Sequence, residues 1–329
     1  MLVTELRKNN NMHFQLSYNN HVKFYVDDAL YGNSSDPARK FRVEFGNIDK
    51  DHYQRSNFNE ELKRVADLQY NIFGKDLILF LSGGLDSEIV LRSYLNIGIK
   101  PKCVIIRFTN RLKPGVIENV AEVNDAVKTA NDLNVDYKFF DFDVLNFYLS
   151  GEAKEMAIKY NCYLFAMIVY YKVSTLLATF PCIFCGEILL EKQLEKHYDT
   201  SNNPVWHYRF QETLEAATHR VSQDIGIPII MEWYTYTPEL MLYFLESPLI
   251  VNLVNQRSYR VSSTPMKNDV LKTLVPAIRD STKIKTWGYE NLTNMVIEAN
   301  WQFTSVLPFR IDKTDYGTRY QDVIAMLKG

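Results

Sequence analysis

Apolar positions change their spacing along the chain, and each spacing predicts a different element. Between residues 14 and 48 they alternate in short runs: Phe14-Gln15-Leu16, Val22-Lys23-Phe24-Tyr25-Val26 and Phe41-Arg42-Val43-Glu44-Phe45. Asn19-Asn20 and the stretch from Gly32 to Pro37 separate them. Alternation punctuated by turn residues predicts a small antiparallel sheet. Residues 46–57 read as a polar linker. Asn59 then reads as a helix N-cap, with Glu60 and Glu61 in the first turn, where the helix dipole favours negative charge. Leu62, Val65, Ala66 and Ile72 fall on one face, and Gly74 ends the helix.

From Asp76 the pattern changes. Asp76–Leu81 (DLILFL) is a short apolar run of the kind a buried parallel strand carries. A helix from Asp86 to Asn96 follows, closed by Gly98. Lys102–Phe108 is the second strand, Glu118–Leu133 an amphipathic helix, and Tyr137–Phe142 the third strand. Helical stretches fill 152–179, and Pro181–Cys185 is the fourth strand. Beyond residue 187 the chain reads as mostly helical, with loops at 199–207 and 256–268. Repeated strand–helix alternation predicts an α/β fold, a parallel sheet with helices on both faces. The expected organisation is a small β region over 1–57 and an α/β domain over 58–329.

Composition narrows the function classes. With 47% hydrophobic and 23% charged residues, wholesale disorder is excluded. Lys and Arg total 37 against 39 Asp and Glu, so no basic excess points to a nucleic-acid partner. The most apolar stretch, Cys162 to Cys185, is interrupted by Lys172. Its uncharged run from Tyr160 to Tyr171 falls short of the roughly 20 residues a bilayer span needs. The N-terminus shows no signal-peptide pattern, and four cysteines make no disulfide framework. A reducing, cytoplasmic setting is therefore expected. Cys182 and Cys185 form a C-x-x-C, but strand geometry sends them to opposite faces, which favours buried thiols over a metal site.

The informative place is Ser82-Gly83-Gly84-Leu85-Asp86-Ser87, between the first buried strand and its helix. Two glycines allow close backbone approach to a ligand. The N–H groups of the following helix favour an anion, and Ser82 and Ser87 add hydroxyls. Asp86 beside a phosphate is repulsive unless a cation intervenes, so it reads as a Mg²⁺ ligand. The pattern is neither a Walker A loop nor a Rossmann fingerprint.

SGGLDS resembles the pyrophosphate loop of the ATP pyrophosphatase (PP-loop) superfamily, and within it the synthetase domain of the asparagine synthetase family. Further similarity follows in order: the helix Asn59–Gly74, the acidic-start helix Glu122–Val135, and Phe184-Cys185-Gly186-Glu187. Gly226–Leu245, Met266–Leu274 with Pro276, and Lys283-Ile284-Lys285-Thr286-Trp287-Gly288-Tyr289 continue it, so the similarity spans roughly residues 58–290. It implies an adenine nucleotide alpha hydrolase-like fold and a ligase that splits ATP to AMP and pyrophosphate. A carboxylate would be activated for attack by ammonia or an amine. It further implies that Ser82, Gly83, Gly84, Asp86, Ser87 and Gly186 hold ATP or pyrophosphate. Glu187 would act as base toward the attacking amine, and Lys285 would neutralise phosphate charge, with Lys283 beside it.

Two departures qualify that picture. Where the family places a second metal-binding aspartate, this chain has Leu190; Glu191 is the adjacent substitute, directed about 100° away if on a helix. The family's Pro-Phe-Leu-Asp run is replaced by Glu232-Trp233-Tyr234-Thr235, so the acyl substrate need not be aspartate. No glutaminase activity is expected, because residue 2 is Leu2 and the first cysteine is Cys103, inside a buried strand. Nitrogen would come from ammonia, an amine or a separate amidotransferase subunit. The alternatives are a PP-loop enzyme modifying nucleobases or nucleic acid, and a non-catalytic nucleotide-binding relative.

Overall fold

The structure is a computed structural model, which describes residues 16–32, 40–162, 165–177, 180–184, 190–194, 204–208, 210, 212–231, 233–255, 263–275, 278 and 319–329. Strand β1 (Val22–Val26) lies between β2 (Ala29–Leu30) and β3 (Phe41–Phe45), antiparallel to both. Val22, Phe24 and Val26 are buried and the residues between them half-buried, as the alternation predicts. Of the first expected run, Phe14 and Gln15 lie outside the described residues, and Leu16 sits in a bend.

The expected linker contains a helix, α1 (Lys50–Arg55), capped by the Asp49 side chain, which accepts from the His52 N–H. It buries no residue, so no apolar stripe announces it. Helix α2 (Phe58–Phe73) begins earlier than expected. Its N-cap is Asn57, not Asn59: Asn57 Oδ1 accepts from the N–H groups of Asn59 and Glu60. Phe58, Leu62, Val65 and Ala66 are buried, whereas Ile72, in the last turn before the Gly74 cap, is exposed.

The main sheet follows. Its chain order is β4 (Ile78–Phe80), α3 (Leu85–Asn96), β5 (Lys102–Thr109), α4 (Val120–Asp132), β6 (Tyr137–Asp143), α5 (Val144–Leu149), α6 (Glu152–Tyr160), α7 (Phe165–Leu176) and β7 (Cys182–Ile183). An antiparallel hairpin of β8 (Leu190–Leu194) and β9 (Pro204–Tyr208) comes next, then α8 (Ala217–Ile225) and β10 (Ile229–Ile230). Helices α9 (Pro238–Leu245), α10 (Pro248–Asn255), α11 (Ser263–Leu274) and α12 (Tyr320–Lys328) complete the described chain. The hairpin and the two-residue β10 add strands to a region that reads as mostly helical. β10 is too short to carry a periodic signal.

Five parallel strands lie in the order β10-β7-β4-β5-β6. Alternate side chains enter two cores, as strand geometry requires. Leu79, Cys103, Ile105, Ile183 and Ile230 face α2, α3 and α4, in a core that also takes Phe24 and Phe45 of the small sheet and α9. Ile78, Phe80, Ile106, Phe108, Cys182 and Phe184 face α5 to α8. This is the α/β architecture expected, with helices on both faces. Successive strands run from β4 out to β6, and the chain then returns to place β7 on the other side of β4. The crevice beyond the carboxyl ends of β4 and β7 is therefore a topological switch point, where open α/β sheets bind ligands.

Candidate nucleotide site at the end of strand β4

Every residue from Leu77 to Leu81 is buried, so β4 delivers Ser82 to the sheet's carboxyl edge from a fixed base. Phe80 stacks on Phe184, just past the end of β7, with ring centroids 4.2 Å apart and planes 7° apart. Phe184 is held in turn by its N–H, which donates to the Ile230 carbonyl at 2.7 Å. The ends of β4, β7 and β10 are thus fastened side by side. Gly186 and Glu187 continue from Phe184 but lie outside the described residues, as do Cys185, Lys283 and Lys285.

The loop closes a circuit of hydrogen bonds. The Gly84 N–H donates to Ser82 Oγ at 3.4 Å, and Ser87 Oγ donates to the Gly84 carbonyl at 3.0 Å. Because the Ser87 proton is used there, the 3.3 Å contact between the two hydroxyls has Ser82 as donor. Gly84 is the N-cap of α3 and supplies no side-chain cap. The first-turn N–H groups of Leu85, Asp86 and Ser87 have no carbonyl of their own helix to bond. An uncapped helix N-terminus at a switch point is a seat for phosphate oxygens.

The two glycines do different work. Gly83 has φ of +71°, and a Cβ there would come within 2.6 Å of Asp125 Cβ and the Ala126 nitrogen in α4. Gly83 therefore lets the loop lie against α4. Gly84 has an extended backbone (φ −84°, ψ 164°) open to other residues.

Asp86 is half-buried in the first turn of α3, and the Tyr234 hydroxyl donates to its Oδ1 at 3.1 Å. Tyr234 comes from the buried segment after β10, where the sequence departs from the family's Pro-Phe-Leu-Asp run. That departure marked the segment, but nothing in the sequence linked it to Asp86. Magnesium in nucleotide sites takes one or two carboxylates together with phosphate oxygens and waters. Among the described residues, no group of three His, Cys, Asp or Glu gathers to hold a metal. The donor set fits a magnesium held jointly by Asp86 and phosphate, not one held by protein alone. Glu191, the expected second ligand, lies on strand β8 opposite His207 rather than on a helix. Its side chain lies outside the described residues.

Asn119 is a second residue the sequence reading passed over. It stands at the N-cap of α4 but does not cap it. Its carboxamide instead accepts from the Phe108 N–H at 2.8 Å and donates to the Ile106 carbonyl at 3.0 Å. It thus closes the edge of β5 that runs beyond the end of β4. A cavity of about 20 Å³ remains beside Leu81, Ser82, Asn119, Glu122 and Tyr170. That space holds about one water molecule.

Cys103, Cys162 and Cys182 are buried free thiols. Burial pushes the Cys103 and Cys182 thiols up to about 12, so neither is a nucleophile near neutrality. No helix among the described residues is long and apolar enough to cross a membrane.

No family model matches the chain, and no curated protein matches it. Among solved structures, an NH3-dependent NAD synthetase from Campylobacter jejuni aligns at 19% identity and a TM-score of 0.26, over 40% of this chain and 56% of that one. The chain therefore spans little more than half of that protein's length. A predicted subunit of tRNA methyltransferase from Methanocaldococcus jannaschii aligns at 14% identity and a TM-score of 0.33, over 74% of this chain and 97% of that one. An NMN synthetase from Francisella tularensis aligns at 10% identity and a TM-score of 0.29, over 79% of this chain and 98% of that one.

Proposed function

We propose that the chain is an ATP-dependent, adenylate-forming ligase of the PP-loop kind, similar to the synthetase domain of asparagine synthetases. One observation carries the reading: the uncapped N-terminus of α3, presented by the Ser82–Ser87 circuit at the switch point beside Asp86. In this reading a substrate carboxylate oxygen attacks the α-phosphorus of ATP and pyrophosphate leaves. Ammonia or an amine then displaces AMP from the acyl carbon.

The residues divide that work. The N–H groups of Leu85 to Ser87 and the α3 dipole take up charge on the departing pyrophosphate, while Gly83 and Gly84 shape the loop. Ser82 and Ser87 hold the loop's form, since their protons are already engaged within it. Asp86 binds magnesium, which when present neutralises phosphate charge, and Tyr234 orients the Asp86 carboxylate. Gly186 would line the pyrophosphate seat. Glu187 would take the proton from the attacking amine, Lys285 would face the phosphates, and Glu191 would be the one remaining candidate second metal ligand. Substrate nitrogen would come from ammonia, an amine or a separate amidotransferase subunit.

A second reading, a nucleotide-binding relative without catalysis, is favoured by Leu190 standing where the resembled family has its second metal-binding aspartate. Substrate-dependent ATP–pyrophosphate exchange across a panel of carboxylates, with mass spectrometry of products, separates the two. Exchange with one carboxylate, abolished in Asp86→Asn, supports the ligase. ATP binding without exchange for any carboxylate supports the second reading. ATP-dependent modification of a base within added nucleic acid, with release of AMP and pyrophosphate, would instead place the chain among the base-modifying PP-loop enzymes.

A further inference from the structure

A second cavity lies away from this loop. It is a cleft of about 520 Å³ between the small sheet, the N-terminal half of α2 and the start of α9. That is ample for a small metabolite. Its walls carry both signs of charge: Lys23 and Arg64 against Glu44, Asp49 and Glu239.

The cations retain unused donors. Arg64 Nη1 donates to Glu61 at 2.5 Å and to Glu239 at 3.1 Å, which leaves Nε and Nη2 without partners among the described residues. Lys23 sits directly opposite Glu44 across β1 and β3, but Glu44 is taken by Arg42. Lys23 has no ion-pair partner among the described residues.

An acceptor is unused as well. His21 is 7% exposed, and its Nε2–H donates to the Thr235 carbonyl at 2.5 Å. That bond fixes the tautomer and makes Nδ1 a lone-pair acceptor, which is buried without a partner. Burial holds the ring neutral at physiological pH. A simple anion in the cleft would meet three carboxylates, and a simple cation would meet Lys23 and Arg64. A molecule with an anionic end for the cations and a donor end for the acidic side satisfies both.

We propose that this cleft binds a free α-amino acid, with its carboxylate at Lys23 and the free edge of Arg64, and its ammonium toward Glu239 and Asp49. The site is independent of the ligase reading. It is nevertheless joined to the loop. The Tyr18 N–H donates to the Tyr236 carbonyl at 2.7 Å, His21 holds Thr235, and the adjacent Tyr234 holds Asp86.

The test is calorimetric titration of the full chain, without ATP, with the twenty free amino acids, their N-acetyl forms and their amides. At least one free amino acid should bind with a Kd below about 1 mM, and its acetylated and amidated forms should bind at least about tenfold more weakly. Lys23→Met, at a half-buried surface position, should weaken binding by about tenfold while leaving the circular dichroism unchanged. Glu239→Gln should weaken it as well. Binding of no free amino acid would overturn the proposal. So would binding unchanged by Lys23→Met, which would place the ligand elsewhere, or equal binding of the N-acetyl form, which would make the site one for plain anions. None of these outcomes bears on ATP–pyrophosphate exchange, so failure here is distinct from failure of the ligase reading.

Discussion

Tyr234 donates a hydrogen bond to Asp86 across 148 residues of sequence, and so ties the segment after β10 to the first turn of α3. Its ring is buried against Phe244, with centroids 5.7 Å apart, so removing the hydroxyl leaves the packing in place. Tyr234→Phe should therefore fold with a loss of about 1.5–3 kcal/mol, the range for a hydrogen bond to a charged group. If Tyr234 orients Asp86 for catalysis, kcat/KM in the exchange assay should fall by about ten- to a hundredfold. A loss of stability with unchanged exchange would reduce Tyr234 to a structural tie.

Gly83 and Gly84 should respond differently to the same substitution. Gly83→Ala meets a left-handed backbone, costing about 1–2 kcal/mol, and a clash with α4, costing about 1–3 kcal/mol more. Gly84→Ala meets neither the left-handed backbone nor its strain. Urea unfolding should show a much lower midpoint for Gly83→Ala than for Gly84→Ala. Equal midpoints would contradict the loop's packing against α4.

His21 makes stability depend on pH. Burial lowers its pKa from 6.5 to about 4, with the Thr235 hydrogen bond opposing. Between these values the unfolded chain binds the proton and the folded one does not. Its contribution is therefore fully present above pH 6.5 and is lost as pH falls toward 4, by about 3 kcal/mol over the window. Urea midpoints measured from pH 7.5 to 4.5 should fall, and His21→Gln should flatten part of that slope. A wild-type profile that His21→Gln leaves unchanged would contradict the buried neutral ring.

Asn119→Asp replaces a donor facing the Ile106 carbonyl with an acceptor. The result should be a loss of about 1–3 kcal/mol, with faster hydrogen exchange at the Phe108 amide. An unchanged exchange rate at the Phe108 amide in Asn119→Asp would contradict the carboxamide's closure of this edge of β5.

Much of this was legible in order along the chain. Runs such as DLILFL and KCVIIRF announce buried parallel strands, and a Gly-Gly turn between strand and helix announces an anion seat. The elements that escaped are those without a periodic signal: the six-residue helix α1, the two-residue strands β2 and β10, and the β8–β9 hairpin. Glu60 and Glu61 directly follow Asn59, which makes Asn59 read as the N-cap; only the hydrogen bonds of Asn57 show that the helix starts two residues earlier. Tyr234 and Asn119 escaped for another reason. Their roles arise from contacts between distant segments, and no local spacing encodes a bond from residue 234 to residue 86. Likewise, the amino-acid cleft joins β1, β3, α2 and α9, which no motif connects.

In the proposed ligase, the Ser82–Ser87 loop seats pyrophosphate with magnesium at Asp86. The most direct test is titration of isotope-labelled protein with magnesium pyrophosphate, following the backbone amides of Gly83 to Ser87 by NMR. Saturable shifts should centre on these amides, depend on magnesium and vanish in a folded Asp86→Asn variant. Shifts confined to other parts of the chain, or loop shifts that persist unchanged in Asp86→Asn, would contradict that seat.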